Sequence, residues 1–360
     1  DTLVYLSLAR GYKGGGVNPP RVDFNTDVVQ YQYLPQTFKP EFVNSIEIGT
    51  KNSFNGGRLT LNANAFLYDY KDYQVSQIVD RISYNENFDA INWGLELEAA
   101  WRPTRAFRLD GNLGYLKTRL KKGSKSIDVM NRTQGDDDWM VVRPWLQVPS
   151  NCIAPRAFVE KVLNGIPIAD LGVRALSGLC PGADRVGSYD PEKTAGIPLH
   201  LLYGFTYDPF ADYNPDTVGL DIANGGSGAP NGGRGFYADL NGNELPNAPR
   251  WTVNVGAQYT FYSESDDWEL TFRADYYWQA KSYARIYNTA FDRLKAWDNV
   301  NLSATYMHSP WGLSVQAYVK NVFNNAPITD TFVNSDDTGL TTNVFTLDPR
   351  IFGFSIAKKF

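Results

Sequence analysis

Strict alternation of apolar and polar residues, sustained over runs of about ten positions, constrains this chain more than any other feature. In RLTLNANAFLYDY, Leu59, Leu61, Ala63, Ala65 and Leu67 fall on one side of an extended chain, and Thr60, Asn62 and Asn64 on the other. WGLELEAAW sets Trp93, Leu95, Leu97, Ala99 and Trp101 against Glu96 and Glu98. WTVNVGAQYTF sets Trp251, Val253, Val255, Ala257, Tyr259 and Phe261 against Thr252, Asn254, Gln258 and Thr260. In WELTFRADYYW, Trp268, Leu270, Phe272, Ala274, Tyr276 and Trp278 oppose Glu269, Thr271, Arg273 and Asp275. Two carboxylates on one face need water, and the opposite face needs a core or lipid. Strands of soluble sandwiches average roughly five or six residues, whereas many of these run past ten, a length suited to crossing a bilayer at a tilt.

The alternating segments and the turns between them give ten strands. They are Thr2–Tyr12, Phe42–Phe54, Arg58–Tyr70, Asp89–Trp101, Phe107–Leu120, Arg250–Tyr262, Trp268–Ala284, Ala296–His308, Trp311–Phe323 and Arg350–Phe360. Short connections at 55–57, 102–105, 263–267 and 309–310 alternate with long ones. One end of the sheet is trimmed and the other elaborated, as in outer-membrane barrels with short periplasmic turns and long outer loops. Aromatic spacing agrees: Trp268 to Trp278 and Trp251 to Phe261 each cover ten positions, which at about 3.3 Å per residue and a tilt near 45° is roughly 23 Å, close to the height of an apolar band.

Composition removes other classes. Mean hydropathy is −0.37, and no apolar run reaches the roughly 18 residues of a membrane helix. Aromatics make up 14% of the chain, with 22 Tyr, 20 Phe and 9 Trp, more than an ordinary core uses and suited to interfacial belts. A net charge of −5 gives no basic footprint, so nucleic acid is not an expected partner. The chain opens at Asp1 directly in a strand-like run without a signal peptide, which predicts either a processed start or missing upstream sequence.

Residues 121–249 are too long for a structureless link and predict a partly folded, extracellular insertion. Pro155 followed by RAFVEKVL and Asn164–Gly165 has a helix start and stop, and a second helical pattern covers 168–179. Cys152 and Cys180 bracket both. With no CxxC or histidine companion, a disulfide is expected in an oxidising compartment, two free thiols being the alternative. The glycine-rich ANGGSGAPNGGRG lacks the Gly-Lys-Ser/Thr ending of a phosphate cradle and reads as flexible loop.

Several stretches resemble the C-terminal barrel of TonB-dependent outer-membrane receptors. VYLSLARGYKGGGVN is similar to the family's rising strand with its glycine cluster, and FKPEFVNSIEIGTKNSF followed by NGGRLTLNANAFLYDYKDYQ to its Pro-Glu descending strand, tight turn and ascending strand. LPNAPRWTVNVGAQYTF resembles the strand after the large loop, AYVKNVFNNAP the end of the penultimate strand, and DPRIFGFSIAKKF the terminal strand. The resemblance implies an all-β transmembrane antiparallel barrel of which residues 1–360 are the C-terminal part, about the last ten of 22 strands. It implies Phe360 as the aromatic signal read by the barrel-assembly machinery, in the periplasm, so that Thr2–Tyr12 runs outward. The plug, the TonB box and the first strands would lie outside this sequence, and TonB would act through that missing part.

No catalytic constellation is evident, so an enzyme is not expected: His200 and His308 stand apart from any glycine-flanked serine. Asp136, Asp137 and Asp138 lack the ligand spacing of a calcium loop, and neither a resident metal nor a cofactor is expected. Glu96, Glu98, Arg108, Asp110, Arg273, Asp275 and Lys320 are expected to line a watery lumen, as wall-stabilising charges more than as ligand contacts. The ligand candidates are the loop aromatics Trp139, Trp145, Tyr189, Tyr203 and Phe205, with Tyr207, Tyr213, Phe236 and Tyr237; the alternative is that these rings pack the loop's own core. The function implied is energised uptake in the bacterial outer membrane of a scarce large solute, a ferric siderophore first, then cobalamin, haem or an oligosaccharide. Rival readings are a self-contained ten-stranded barrel enzyme and a soluble carbohydrate-binding β-protein.

Overall fold

The computed structural model describes residues 1–18, 35–79, 82–143, 152–165, 176, 179–180, 207, 209, 211–217, 228–334 and 339–359. Ten strands form one antiparallel sheet in chain order. They are β1 (Thr2–Lys13), β2 (Glu41–Phe54), β3 (Leu59–Val79), β4 (Ile82–Trp101), β5 (Phe107–Leu120), β6 (Trp251–Tyr262), β7 (Trp268–Gln279), β8 (Trp297–His308), β9 (Leu313–Lys320) and β10 (Ile351–Lys358). All ten expected strands are present. β1 and β10 are the two edges of the sheet.

Register turns the alternation of each strand into two continuous faces. Leu59, Trp101, Leu109, Ala257, Ala274, Leu302, Val319 and Phe352 are successive partners across eight strands. The row formed by Asn62, Glu98, Asn112, Asn254, Tyr277 and Asn299 lies on the other face. A one-residue slip at any seam would put carboxylates among leucines, so one register is strongly favoured. Large side chains stand exposed on the apolar face even on interior strands, Leu97 at 50% and Phe272 at 47%, as a face expected to meet lipid would be. Among the described residues no helix is long and apolar enough to cross a membrane.

β3 and β4 run 21 and 20 residues, about twice what a bilayer needs. Their outer parts, 71–79 and 82–89, project as a hairpin beyond the expected ends at Tyr70 and Asp89. A bulge between Tyr70 and Tyr73 explains the difference. Asp72 sits at φ 56°, a left-handed conformation that aspartate tolerates, and its N–H donates to Asp89 Oδ1 at 3.1 Å. The extra residue exchanges the faces, so Tyr73 and Val75 turn inward and the alternation loses phase. β7 stops at Gln279 rather than Ala284, with Ser282–Tyr283 pairing instead with Arg293–Leu294 in a short outer ladder.

The two enclosed apolar clusters among the described residues lie above the wall, in the long connections. One is built on the helix α1 (Arg156–Gly165) and the ladder of Trp139–Val142 with Cys152–Pro155. Pro155 precedes the first turn, Val159 and Val162 face inward, and Asn164–Gly165 ends the helix, as its sequence signals predict. The second helical pattern lies outside the described residues but for Leu176 and Leu179, which pack on this cluster. In the other cluster Leu240, Leu245, Ile286 and Tyr287 cover Ala90 and Leu120 on the inner face at the outer mouth.

Candidate functional site

The inner face carries a charge cluster centred on Arg273. Both terminal nitrogens of its guanidinium donate to Asp110, each at 3.0 Å, and Nε donates to Asp275 Oδ2 at 3.0 Å. Arg108 Nε lies 2.9 Å from Asp110 Oδ1 as an ion pair. Asp110, Gly256 and Asp275 form one register row on β5, β6 and β7, so Arg273 must reach over β6 to hold Asp110. Gly256 provides the path: a Cβ there would run into Arg273 Nη2 and Asp110 Oδ2. The bidentate contact fixes the arginine between two acids.

Asp110, Gly256, Arg273 and Asp275 border a concavity of about 370 Å³ whose lining also includes Glu98, Asn112, Asn254 and Asn301. Nearer β1, Asn64 Nδ2 donates to Glu96 Oε2 at 3.0 Å, Asn62 Nδ2 to Glu98 Oε2 at 3.3 Å, and the Tyr5 hydroxyl to Glu47 Oε1 at 2.5 Å. Glu96, Glu98, Arg108, Asp110, Arg273 and Asp275 therefore share the polar face. Lys320 shares its parity but stands apart on β9, beside the ring of Tyr318. Such a wall can hold a hydrated solute or polypeptide through many replaceable hydrogen bonds.

Above the mouth, the loop aromatics are brought together as a core. Trp139 and Tyr207 are buried, with ring centroids 6.4 Å apart, and Tyr213 and Phe236 meet Trp139 edge-on at 6.0 and 5.7 Å. The Cys152–Cys180 disulfide closes the same cluster, its Cα atoms 5.6 Å apart. Tyr237 is the accessible ring, with Lys125 Nζ 4.5 Å from its centroid. Trp145, Tyr189, Tyr203 and Phe205 lie outside the described residues, as do Phe360 and His200. His308 ends β8 and stacks on Trp311.

A polar latch that alternation cannot reveal joins the head, the folded long connections that hold the two apolar clusters above the wall, to the projecting hairpin. Arg285 bridges Asp128 at 2.7 Å and Asp292 at 2.5 Å, all three nearly withdrawn from solvent. The Tyr287 hydroxyl has two acceptors within reach of its one proton, Gln77 Oε1 at 2.8 Å and the Ile127 carbonyl at 2.9 Å, and Ser126 Oγ donates to Glu86 Oε2 at 2.6 Å. Arg234 donates to the Tyr84 hydroxyl at 3.1 Å. Burial pushes the Tyr287 hydroxyl well up, and pushes Glu86 above the usual carboxylate range although Ser126 and Arg234 oppose the shift. The signal in the sequence is the polar stretch after Tyr70, whose Tyr84 is buried and whose Gln77 and Glu86 are half-buried donors and acceptors rather than loop residues.

A model of the family described as TonB dependent receptor-like, beta-barrel, matches residues 1–149 and 176–322. Among solved structures, the ferric yersiniabactin uptake receptor FyuA from Yersinia pestis is similar over 100% of this chain and 35% of its own, at 15% identity and a TM-score of 0.56. BauA, the ferric preacinetobactin receptor from Acinetobacter baumannii, is similar over 99% and 34%, at 12% identity and a TM-score of 0.51. The siderophore receptor PiuA from the same organism matches over 99% and 33%, at 14% identity and a TM-score of 0.50. The chain thus spans about a third of the length of the structures it matches, and at these identities the likeness is one of fold.

Proposed function

The chain belongs to the TonB-dependent receptor-like β-barrel family, and on that premise we propose that it is the C-terminal part of a receptor for energised uptake of a scarce solute too large for porins. It is a wall of the bacterial outer membrane, lipid on one face and water on the other. A ferric siderophore is the leading cargo, as the similar receptors FyuA, BauA and PiuA, all of them siderophore receptors, suggest; cobalamin, haem and oligosaccharides are the others. TonB would act through the part of the receptor outside this chain, and the outer loops and lumen wall would bind the solute.

The observation that carries the reading is the unbroken polar face from Asn62 on β3 to Asn299 on β8, roofed at its outer end by a folded head. An enzyme would need converging acid, base or nucleophile groups; the wall instead offers amides and acids already paired with one another. A lumen of this kind recognises by many weak contacts and releases when a plug is pulled. The same scaffold can serve several cargoes, because loops vary without breaking the wall.

Transport decides it. Cells whose receptor gene is deleted and restored should differ in accumulating a radiolabelled ferric siderophore from a panel, and an uncoupler should abolish the difference. Accumulation that persists in uncoupled cells would reject energised uptake, and failure across ferric siderophores, cobalamin, haem and oligosaccharides would reject the receptor reading.

A further inference from the structure

We propose that the outward face of β5, at the outer rim, is a docking site for the phosphorylated headgroup of an outer-leaflet lipid, held by Lys117 and Arg119. The register fixes their side. Lys117 is the partner of Trp93, and Arg119 of Ile91, and both partners continue the outward row of Leu95, Leu97 and Trp101. The two cations therefore leave the sheet on its lipid face.

Their height follows from the rings below them. Trp93, Tyr115 and Trp251 form a contiguous outward cluster, with centroids 5.3 and 4.7 Å apart, the kind of belt that marks the edge of the hydrocarbon. Lys117 and Arg119 lie two and four residues beyond Tyr115, so at about 3.3 Å per residue and a tilt near 45° they stand roughly 5 and 9 Å above it, at headgroup level. They lie on the long-loop side of the wall, which is the outer leaflet.

Charge is the third observation. The chain as a whole is acidic, at −5, yet both side chains are exposed and neither has an ion-pair partner among the described residues. Two carboxylates on the neighbouring strands are already taken: Asp89 by Lys71 at 2.6 Å, and Asp69, in the register row of Arg119, by Lys121. Two cations one strand repeat apart, about 6.6 Å between Cα atoms, can converge on one phosphate. Arg10 belongs to the same register row through Asn44, Asp69 and Ile91. Four strand spacings put it about 19 Å away, too far to share that phosphate, and its guanidinium rests on the Phe42 ring.

The site rests on the membrane placement of the wall and not on the identity of the transported solute, so uptake is not its readout. The receptor containing this chain, in mild detergent, is titrated by native mass spectrometry with a bisphosphorylated glycolipid, the same lipid stripped of phosphate, and inorganic phosphate. Each of Lys117→Gln and Arg119→Gln should weaken the phosphorylated lipid about fivefold, and the pair about 25-fold, to the level of the stripped lipid on the unaltered protein. The charge-keeping pair Lys117→Arg, Arg119→Lys should stay within about twofold. Heat-modifiable gel mobility reports folding, and if the double variant does not fold, the two lipids on the unaltered protein decide. Equal binding of both lipids, unaltered affinity in the double variant, or full displacement by inorganic phosphate would each overturn the proposal.

Discussion

Replacing Cys152 and Cys180 together by alanine tests whether the head is a folded unit of its own. The disulfide closes a loop with a sequence separation of 28 that contains the helix α1. In the chain-entropy account, a closure of that size withholds about 12 cal/mol/K from the opened state, which is about 3.6 kcal/mol at 25 °C. Both residues are buried in the cluster around Trp139 and Tyr207, so the opened state is the one in which that cluster has come apart. Opening of the head should then become about 400-fold more frequent. Hydrogen exchange resolves this by position: amides of Val159 and Val162 should exchange faster by about that factor, while amides of Val255 and Phe272 in the wall keep their protection. Unchanged exchange in α1 would refute the constraint, and a parallel loss in the wall would refute the independence of the head.

Trp139→Ala should destabilise the head by about 3–5 kcal/mol as a core deletion and weaken any loop-bound ligand only in proportion to that loosening, whereas Tyr237→Ala should leave exchange in α1 unchanged; a large ligand-specific loss from Trp139→Ala at unaltered exchange would return that ring to a direct contact. Gly256→Val should push Arg273 off Asp110 and lower barrel stability by about 1–2 kcal/mol, discounted for the partial exposure of the pair. In an Arg273→Ala background most of that cost should vanish, and urea titration of the four proteins would show a full additive loss if the contact were unimportant. Glu86, with its pKa raised by burial, favours the folded head when protonated, so its contribution is complete below its unfolded value of about 4.3 and is lost as pH rises through the higher folded value. Exchange around Ser126, corrected for intrinsic chemistry, should therefore reveal weaker docking at pH 7 than below about pH 4, and Glu86→Gln should flatten the difference; an unflattened profile would assign it to another group.

The wall was legible because each strand solves the same problem, lipid on one side and water on the other, with a period of two that Leu59 to Leu67 or Trp251 to Phe261 display without interruption. It ceased to be legible where that problem ended. Beyond Tyr70 both sides of the β3–β4 hairpin face protein or water, and the bulge at Asp72 reverses the faces, so Gln77, Tyr84 and Glu86 carry no pattern. The charges on the inner face could be assigned to a side but not to partners: that Arg273 takes Asp110 across Gly256 depends on a register linking segments more than 140 positions apart. The head shows the same limit, since Trp139 meets Phe236 only after the loop folds. Its helix and its disulfide were readable from local signals, whereas the burial of Trp139 and Tyr207 was one of two readings that composition left open.

The two faces of the sheet are the claim on which the rest depends. Single cysteines at Leu61, Leu97, Val255 and Phe272, and at their neighbours Asn62, Glu96, Asn254 and Arg273, each carry a fluorophore in the membrane-embedded receptor, quenched in turn by brominated lipid and by a water-soluble quencher. The first four should be quenched by lipid and shielded from the aqueous agent, and the second four should show the reverse, position by position along each strand. Equal quenching of neighbours by the brominated lipid would contradict the account.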